Sequence, residues 1–310
     1  MSILLTVLIV PSLFWPKAPE TLPVLKKAGI TEIAVPPQMA SAWKSQSEIK
    51  IREVSLGGFA KIPAPSVNFR ISNASATREP WVNSNGWRFL RQPDGRFYEN
   101  APGKAAALAA AEAYAYGAHV LIETDEAGLA TYAQMARFLS SLGTDELPPR
   151  YNFEYVDDGS AASGEFMNLL VRSNLLFKVS RSSNAAKYMT VALGSPQYPA
   201  SEAGNPKLLA EKVRANLTDQ KRLLRIYGSY LVIGRLTGDA SHSRVFLLNY
   251  GVDRGDVHGV RVRVLGQFPE RTFGESPSPG VQLLDYAAGK DATEFTIPDL
   301  TVLAVIDLRN

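Results

Sequence analysis

Residues 103–180 have the sequence GKAAALAAAEAYAYGAHVLIETDEAGLATYAQMARFLSSLGTDELPPRYNFEYVDDGSAASGEFMNLLVRSNLLFKVS. Helical and strand patterns alternate along this stretch: helices at 103–117, 128–142 and 161–172, and strands at 118–122, 151–156 and 175–179. Strands that alternate with helices of this length predict a parallel sheet with right-handed crossovers. The carboxyl ends of the strands in such sheets usually form the binding site. We therefore expect functional residues to follow these strands.

Acidic side chains follow two of the predicted strands. Glu123 comes directly after the first strand, and Asp157 and Asp158 come directly after the second. Two carboxylates across a cleft can divide the acid/base and nucleophile roles of glycoside hydrolysis, provided that their pKa values differ. Acidic residues at strand ends also serve as helix caps, a role that suits Asp158. Glu123 is the hardest of the three to explain as a cap, and Glu99 and Glu154 are weaker candidates.

A cluster of aromatic and amide residues precedes this stretch and consists of Trp81, Asn83, Asn85, Trp87 and Arg88. Indole rings stack on sugars, while amides and guanidinium groups bind hydroxyls, so the cluster is a candidate carbohydrate-binding surface. An equally good interpretation has Trp87 packed beneath a hairpin, whose strands at 87–90 and 96–98 flank the turn sequence QPDG. Trp15 and Trp43 are further candidates to line the same cleft.

Composition excludes several classes of function. The 310-residue chain has a net charge of +3 and no run of basic residues, so no nucleic-acid partner is expected. The absence of cysteine excludes disulfides, thiolate metal sites and iron–sulfur clusters. The three histidines are dispersed, and no dinucleotide-binding or P-loop motif occurs, so neither a metal site nor a cofactor is predicted. No feature of the sequence predicts an oligomeric state.

The first residues allow two interpretations. Residues 2–10 are apolar. Residues 1–12 are therefore either a secretory signal, or they contain a buried first strand at 4–10. A signal would make the protein extracytoplasmic or secreted, and a strand would leave it cytoplasmic. The segment is too short to span a membrane, and no other apolar run is long enough, so no integral membrane span is expected.

The hydrophobic period changes to two near residue 221. Seven short strands are predicted there, at 223–227, 230–236, 244–250, 257–266, 281–286, 293–297 and 301–308. Short strands at this spacing predict a β-sandwich. We therefore expect an α/β domain at 13–220 and a small antiparallel β-sandwich domain at 221–310.

The C-terminal part resembles the small all-β domain that follows the barrel in many glycoside hydrolases. The likeness is carried by the sequences RIYG at 225–228 and LLNYG at 247–251, and by the strand patterns at 260–265 and 293–307. This resemblance implies that the first domain is a compact or incomplete (β/α) barrel, since a full barrel usually needs more residues. It also implies a carbohydrate ligand.

Three functions remain open on this basis. The first is a glycoside hydrolase in which Glu123 pairs with Asp157 or Asp158. The second is a non-catalytic carbohydrate-binding module on the same scaffold. The third is a protein-interaction module of a cell envelope.

Overall fold

The computed structural model describes residues 10–46, 48–69, 80–142, 147–182, 188–275 and 282–310. Its helices α1–α7 are Leu22–Ala28, Pro37–Gln46, Gly86–Arg91, Ala105–Tyr116, Glu126–Ser141, Ala161–Arg172 and Pro206–Leu217. Strands β1–β11 are Ser12–Leu13, Glu32–Val35, Lys50–Glu53, Ala60–Lys61, Ser66–Asn68, Trp81–Asn83, Arg96–Asn100, His119–Glu123, Phe153–Val156, Phe177–Ser180 and Met189–Ala192. Strands β12–β19 are Leu224–Tyr227, Val232–Gly238, His242–Asn249, Val257–Leu265, Glu270–Glu275, Leu284–Ala288, Ala292–Leu300 and Leu303–Arg309.

Six parallel strands form a continuous ladder in the order β3-β2-β1-β8-β7-β4. Four of them make one sheet, β1-β8-β7-β4, and β2 pairs with β3. A parallel bridge between Phe14 and Ala34 joins the two sets. The parallel α/β architecture predicted from the sequence is thus present. Among the described residues no pairing joins β3 to β4, so closure of a barrel stays a prediction.

A second parallel sheet has the order β10-β9-β11. Its strands pair in register, with Phe177 and Met189 both opposite Phe153. Strand β9 follows β8 in the chain, but the two strands belong to different sheets. Glu123 and Asp157, which follow these two strands, therefore lie at the ends of separate sheets.

Helix α4 contacts elements from both halves of the chain. Its sequence is AAALAAAEAYAY, and alanine has the highest helix propensity of all residues. Gly117 ends the helix in the left-handed conformation, with φ 65°. Residues 106–115 are all buried, and the helix contacts α3, α5, β8 and β14. A helix that is apolar all round is typical of such a buried position.

The predicted hairpin around Trp87 is wrong. Residues from Gly86 to Arg91 form α3, and the following strand β7 pairs in parallel with β8 and β4 rather than with residues 87–90. One long-range and one medium-range contact favour this outcome: the carboxylate of Glu112 accepts hydrogen bonds from the amides that begin α3, and the ring of Phe89 packs against Phe97. Neither contact is visible in a local turn pattern.

The last eight strands form two antiparallel sheets, ordered β12-β15-β18-β17 and β13-β14-β19-β16. Apolar side chains from both sheets share one core, which includes Val262 and Phe295 from the first and Val245 and Ile306 from the second. The alternating pattern predicts seven of these strands and misses β16. The sequence of β16, ERTFGE, has no apolar alternation, and its pairing with β19 shifts register between Thr272 and Gly274.

Strand β14 is buried on both faces. Val245 and Leu247 belong to the core between the two antiparallel sheets, while Phe246 and Leu248 belong to the main core of the molecule. Burial on both sides explains its continuous apolar run, since only a half-exposed strand needs polar residues at every second position. Side chains beyond residue 220 therefore pack with those before it, and the domain boundary there stays a prediction.

The structure describes only the end of the predicted signal segment at residues 1–12. Residues 1–9 of the predicted signal segment lie outside the described residues, and Ser12 forms part of β1. None of the helices in the described part of the chain is long and apolar enough to span a bilayer.

Candidate functional site

Glu123, the last residue of β8, forms a hydrogen-bonded pair with Tyr98, in the middle of β7. The hydroxyl of Tyr98 donates to Oε2 of Glu123 at 2.5 Å. Burial, and then the hydrogen bond to Glu123, raise the pKa of Tyr98 well above its usual range, so the phenol keeps its proton. Asn100 lies opposite Glu123 in the β7–β8 register. We call Tyr98, Asn100 and Glu123 the strand-end site.

The strand-end site rests on an apolar layer within the ladder. Tyr98 packs edge-on against Phe14, with ring centroids 5.8 Å apart, and both rings belong to a small cluster with Ala34 and Leu121. The contacts on Tyr98 orient its hydroxyl toward Glu123. Glu123 is only half-buried, and its Oε1 has no hydrogen-bond partner among the described residues. One carboxylate oxygen is thus held by the protein, and the other has no partner among the described residues.

Asp157 and Asp158 are held by neighbouring groups. Arg91 forks onto Asp157 with two hydrogen bonds of 2.8 Å, and both side chains are largely buried. Oδ1 of Asp158 accepts from the amide of Ser160 at 2.9 Å. Burial acts to raise the pKa of Asp158, but hydrogen bonds from Ser160 outweigh it and lower the pKa. Their assignment as catalytic residues stays a prediction, and each would have to act from within these contacts.

The aromatic residues of the predicted binding surface are stacked with arginines. The guanidinium of Arg172 lies 3.9 Å from the ring centroid of Trp81, and that of Arg88 lies 4.4 Å from the ring of Trp87. Both indoles are half-buried and pack against the main core. A sugar that stacked on a face covered by these arginines would have to displace a guanidinium.

The remaining predicted binding residues differ in exposure. Asn83 is half-buried and donates to Oγ of Ser66 at 3.0 Å, whereas Asn85 is buried. The suggestion that Trp15 and Trp43 line a cleft is wrong, because both indoles are 0% exposed. Sequence reasoning placed them in loops, but long-range packing covers them completely.

A buried group of polar side chains, which we call the buried carboxyl cluster, was not predicted as a unit, although the sequence analysis names Asn85 and Glu99 as candidate site residues. It contains Ser84, Asn85, Glu99, Glu112 and Tyr250. Oε1 of Glu112 accepts from the hydroxyls of Ser84 at 2.6 Å and Tyr250 at 2.5 Å. The same oxygen accepts from the amides of Asn85 at 2.7 Å and Gly86 at 3.2 Å. Glu112 therefore satisfies the amino end of α3.

Glu99 lies beside Glu112 with few partners. It is 0% exposed, and its nearest donor is Nδ2 of Asn85 at 3.4 Å. Burial and then the charge of Glu112 raise the pKa of Glu99 well above its usual range. Burial also raises the pKa of Glu112, against the effect of its four hydrogen bonds. Since neither carboxyl reaches solvent, the cluster holds α3, α4 and the end of β14 together rather than contacting a substrate.

One sequence signal could have found this cluster. Glu112 is a single acidic residue within an apolar, alanine-rich helix, and a buried charge in such a helix must have hydrogen-bond partners. This sequence pattern identifies Glu112 but not its hydrogen-bond partners, since Tyr250 lies 138 positions away.

The histidines are scattered over the surface. His119 begins β8 and is exposed, while His242 and His258 lie beside Asp307 and Asp299 at 3.4 and 2.6 Å. Within the part of the chain that the structure describes, no group of three or more acidic or histidine side chains is arranged to hold a metal ion.

Comparison with known proteins places the fold among glycoside hydrolases. No family model and no curated protein sequence matches the chain. Its structure is similar to alpha-L-fucosidase isoenzyme 2 from Paenibacillus thiaminolyticus, with a TM-score of 0.54 and 9% identity, over 72% of this chain and 62% of the fucosidase. Weaker similarities are to Gan42B, a GH42 beta-galactosidase from G. stearothermophilus, and to the beta-galactosidase from Rahnella sp. R3.

The two galactosidases match with a TM-score of 0.36 each, at 8% and 9% identity. The matches cover 81% and 92% of this chain, and 53% and 61% of the galactosidases. This chain spans about 62% of the length of the fucosidase. The glycoside-hydrolase resemblance predicted from the sequence is confirmed at the level of the fold.

Proposed function

We propose that this protein is a carbohydrate-active protein of the glycoside-hydrolase type, and that the strand-end site binds its ligand. The observation that carries the proposal is Glu123, a half-buried carboxylate at the carboxyl end of a parallel strand, with one oxygen that has no partner in the part of the chain that the structure describes. Ligands of such sheets bind at this edge. The fold similarity to a fucosidase supports the proposal, and fold alone does not establish an activity.

The free oxygen of Glu123 suits either of two roles. As an acceptor it would bind a sugar hydroxyl, with Asn100 opposite it in the register as a further polar contact. As a catalytic group it would need a second carboxyl about 5 Å away for retention or roughly 6.5–9.5 Å away for inversion. Asp157 and Asp158 are our proposed partners, and either would have to leave its present contacts or act beside them.

A specific observation favours a second candidate, a non-catalytic carbohydrate-binding protein on the same scaffold. Asp157 is held by a two-pronged contact with Arg91, and Asp158 accepts a hydrogen bond from the amide of Ser160 just before α6. A general acid or base must reach the substrate, and a carboxylate paired with a guanidinium must first leave that contact. In a non-catalytic carbohydrate-binding protein, only Glu123 and the neighbouring surface would contact the sugar.

The domain assignment belongs to the same proposal. We place a barrel-like domain at 13–220 and a β-sandwich at 221–310, which agrees with the order of parallel and antiparallel sheets along the chain. An extracytoplasmic location would give such a protein access to polymeric glycans, and the apolar residues 2–10 support it.

The test is a screen of glycan binding and of chromogenic-glycoside hydrolysis with the full chain. Glu123→Gln preserves the shape of the side chain and removes its charge. Glu126→Gln is the matched control, because Glu126 is an exposed acid three positions further along at the start of α5.

Three results are distinguishable. Hydrolysis that falls at least about 100-fold in Glu123→Gln but not in Glu126→Gln would show an enzyme. Binding without hydrolysis that weakens only in Glu123→Gln would show a non-catalytic module. Absence of both activities in the parent protein, or equal effects of the two substitutions, would refute the strand-end site.

A further inference from the structure

We propose a second ligand site, for a small oxyanion ester such as a sugar phosphate or sugar sulfate, beside the amino-terminal ends of β1, β7 and β8. A cavity of about 280 Å³ opens there. It is lined by the beginnings of these three strands, by Arg52 and Glu53 at the carboxyl end of β3, and by residues between β3 and β4. The proposal does not depend on the proposed function.

Three nitrogen-bearing side chains line this cavity: Arg52, Arg96 and His119. The guanidinium of Arg96 lies 4.1 Å from the ring centroid of Phe59, a contact that restricts its orientation. The guanidinium of Arg52 has no ion-pair or hydrogen-bond partner among the described residues. Two exposed positive charges and an exposed imidazole around one space form an arrangement suited to a phosphate or sulfate group.

The acidic residue of the lining does not cancel this charge. Glu53 also lines the cavity, and Nζ of Lys44 lies 4.0 Å from its carboxylate. The two arginines therefore give the cavity an excess of positive charge. A neutral ligand would leave their charge uncompensated, whereas an anion would pair with it in a partly enclosed space where electrostatic attraction is stronger than in water.

The apolar part of the lining defines the rest of the ligand. Val54, Phe59 and Leu121 line the same cavity as the arginines. Ligand pockets for drug-sized molecules have volumes of roughly 300–1,000 Å³, so a space of 280 Å³ is suited to one small ring with its charged group. An ester of a single sugar ring fits both requirements, while inorganic phosphate alone would leave the apolar part empty.

Distance separates this site from the strand-end site. His119 is the first residue of β8 and Glu123 is the last. Four steps along a strand span about 13 Å, and Leu121, which also lines the cavity, lies between these two residues. The charged side chains of the two sites are different residues. Loss of binding in the cavity and loss of binding at Glu123 are therefore separate results.

Isothermal titration calorimetry at constant ionic strength would test the site, with glucose 6-phosphate, glucose 6-sulfate, inorganic phosphate and neutral glucose as probes. We expect the two esters to bind, inorganic phosphate to bind at least several-fold more weakly, and glucose not to bind in this cavity. Arg52→Gln and Arg96→Gln should each weaken ester binding roughly tenfold. His119→Ala should weaken it less.

Arg254→Gln is the matched control, because Arg254 is an exposed arginine stacked on Phe69 at 3.6 Å, as Arg96 is on Phe59. Circular dichroism and thermal unfolding of each variant would show that the fold is retained. Equal binding of the esters by parent, Arg52→Gln and Arg96→Gln would overturn the proposal. So would an equal loss in Arg254→Gln, or the absence of ester binding in the parent, while effects of Glu123→Gln would bear only on the strand-end site.

Discussion

The hydroxyl of Tyr250 provides the sharpest test of how the molecule is held together. It donates to Oε1 of Glu112 at 2.5 Å and lies 3.0 Å from Oγ of Ser84, and all three groups are buried. Tyr250→Phe removes this donor and leaves the ring in place. Glu112 then keeps three donors: the hydroxyl of Ser84 and the amides of Asn85 and Gly86.

The expected cost follows from these contacts. A hydrogen bond to a charged group contributes about 1.5–3 kcal/mol, and no large cavity is formed when a hydroxyl is removed. Since Glu112 keeps its other donors, we expect Tyr250→Phe to lower the free energy of unfolding by about 2 kcal/mol. In Glu112→Gln the acceptor becomes neutral, so the same Tyr250→Phe substitution should cost about 1 kcal/mol in that background.

The measurement is urea unfolding followed by circular dichroism. Tyr114→Phe is the control, because the hydroxyl of Tyr114 is also buried but has no hydrogen-bond partner among the described residues. Its removal should leave stability unchanged or raise it by about 1 kcal/mol. If Tyr250→Phe cost no more than Tyr114→Phe, the cluster around Glu112 would not stabilise the fold and the reasoning would be wrong.

Two further substitutions test buried positions near this cluster. Burial raises the pKa of Glu99 well above its usual range, so its contribution to stability is complete below the unfolded pKa and is lost as pH rises through the folded value. Urea unfolding from about pH 5 to about pH 8 should show stability falling in the parent and falling less in Glu99→Gln; parallel curves would contradict this. A Cβ at Gly86 would overlap the ring of Tyr116, so Gly86→Ala should cost about 1–3 kcal/mol in the same assay. Gly204→Ala, which meets no atom within 4 Å, should cost less than half as much, and equal costs would refute the close-packing argument.

Local signals predicted much of the secondary structure. The alanine run and Gly117 predict α4 almost to the residue, and the helix predicted at 161–172 has the same bounds as α6. Parallel pairing within the first half follows from the alternation of strands and helices. The partners of each strand do not follow from it. Strand β9 belongs to a different sheet from β8, and nothing near residue 153 indicates this.

The candidate site was predicted only in part. Glu123 was found because it ends a strand and is not a helix cap, both of which are local features. Its partner Tyr98 was not found, because two residues on adjacent parallel strands are 25 positions apart in the chain. The error at α3 has the same origin, since Asn85-Gly86 is a common turn sequence whose conformation is decided here by the distant carboxylate of Glu112.

The position of the buried carboxyl cluster bears on the predicted domain boundary near residue 220. Glu112 lies before the boundary and Tyr250 lies beyond it, and Phe246 in β14 also contacts the ring of Tyr114 in α4, with centroids 6.2 Å apart. If the two segments unfolded separately, the cluster would open in the first step and expose Glu99, whose pKa is raised by burial. Deprotonation of Glu99 would then favour that step increasingly as pH rises. Separate unfolding would also break the hydrogen bond between Tyr250 and Glu112, so this contact couples the two segments across the predicted boundary.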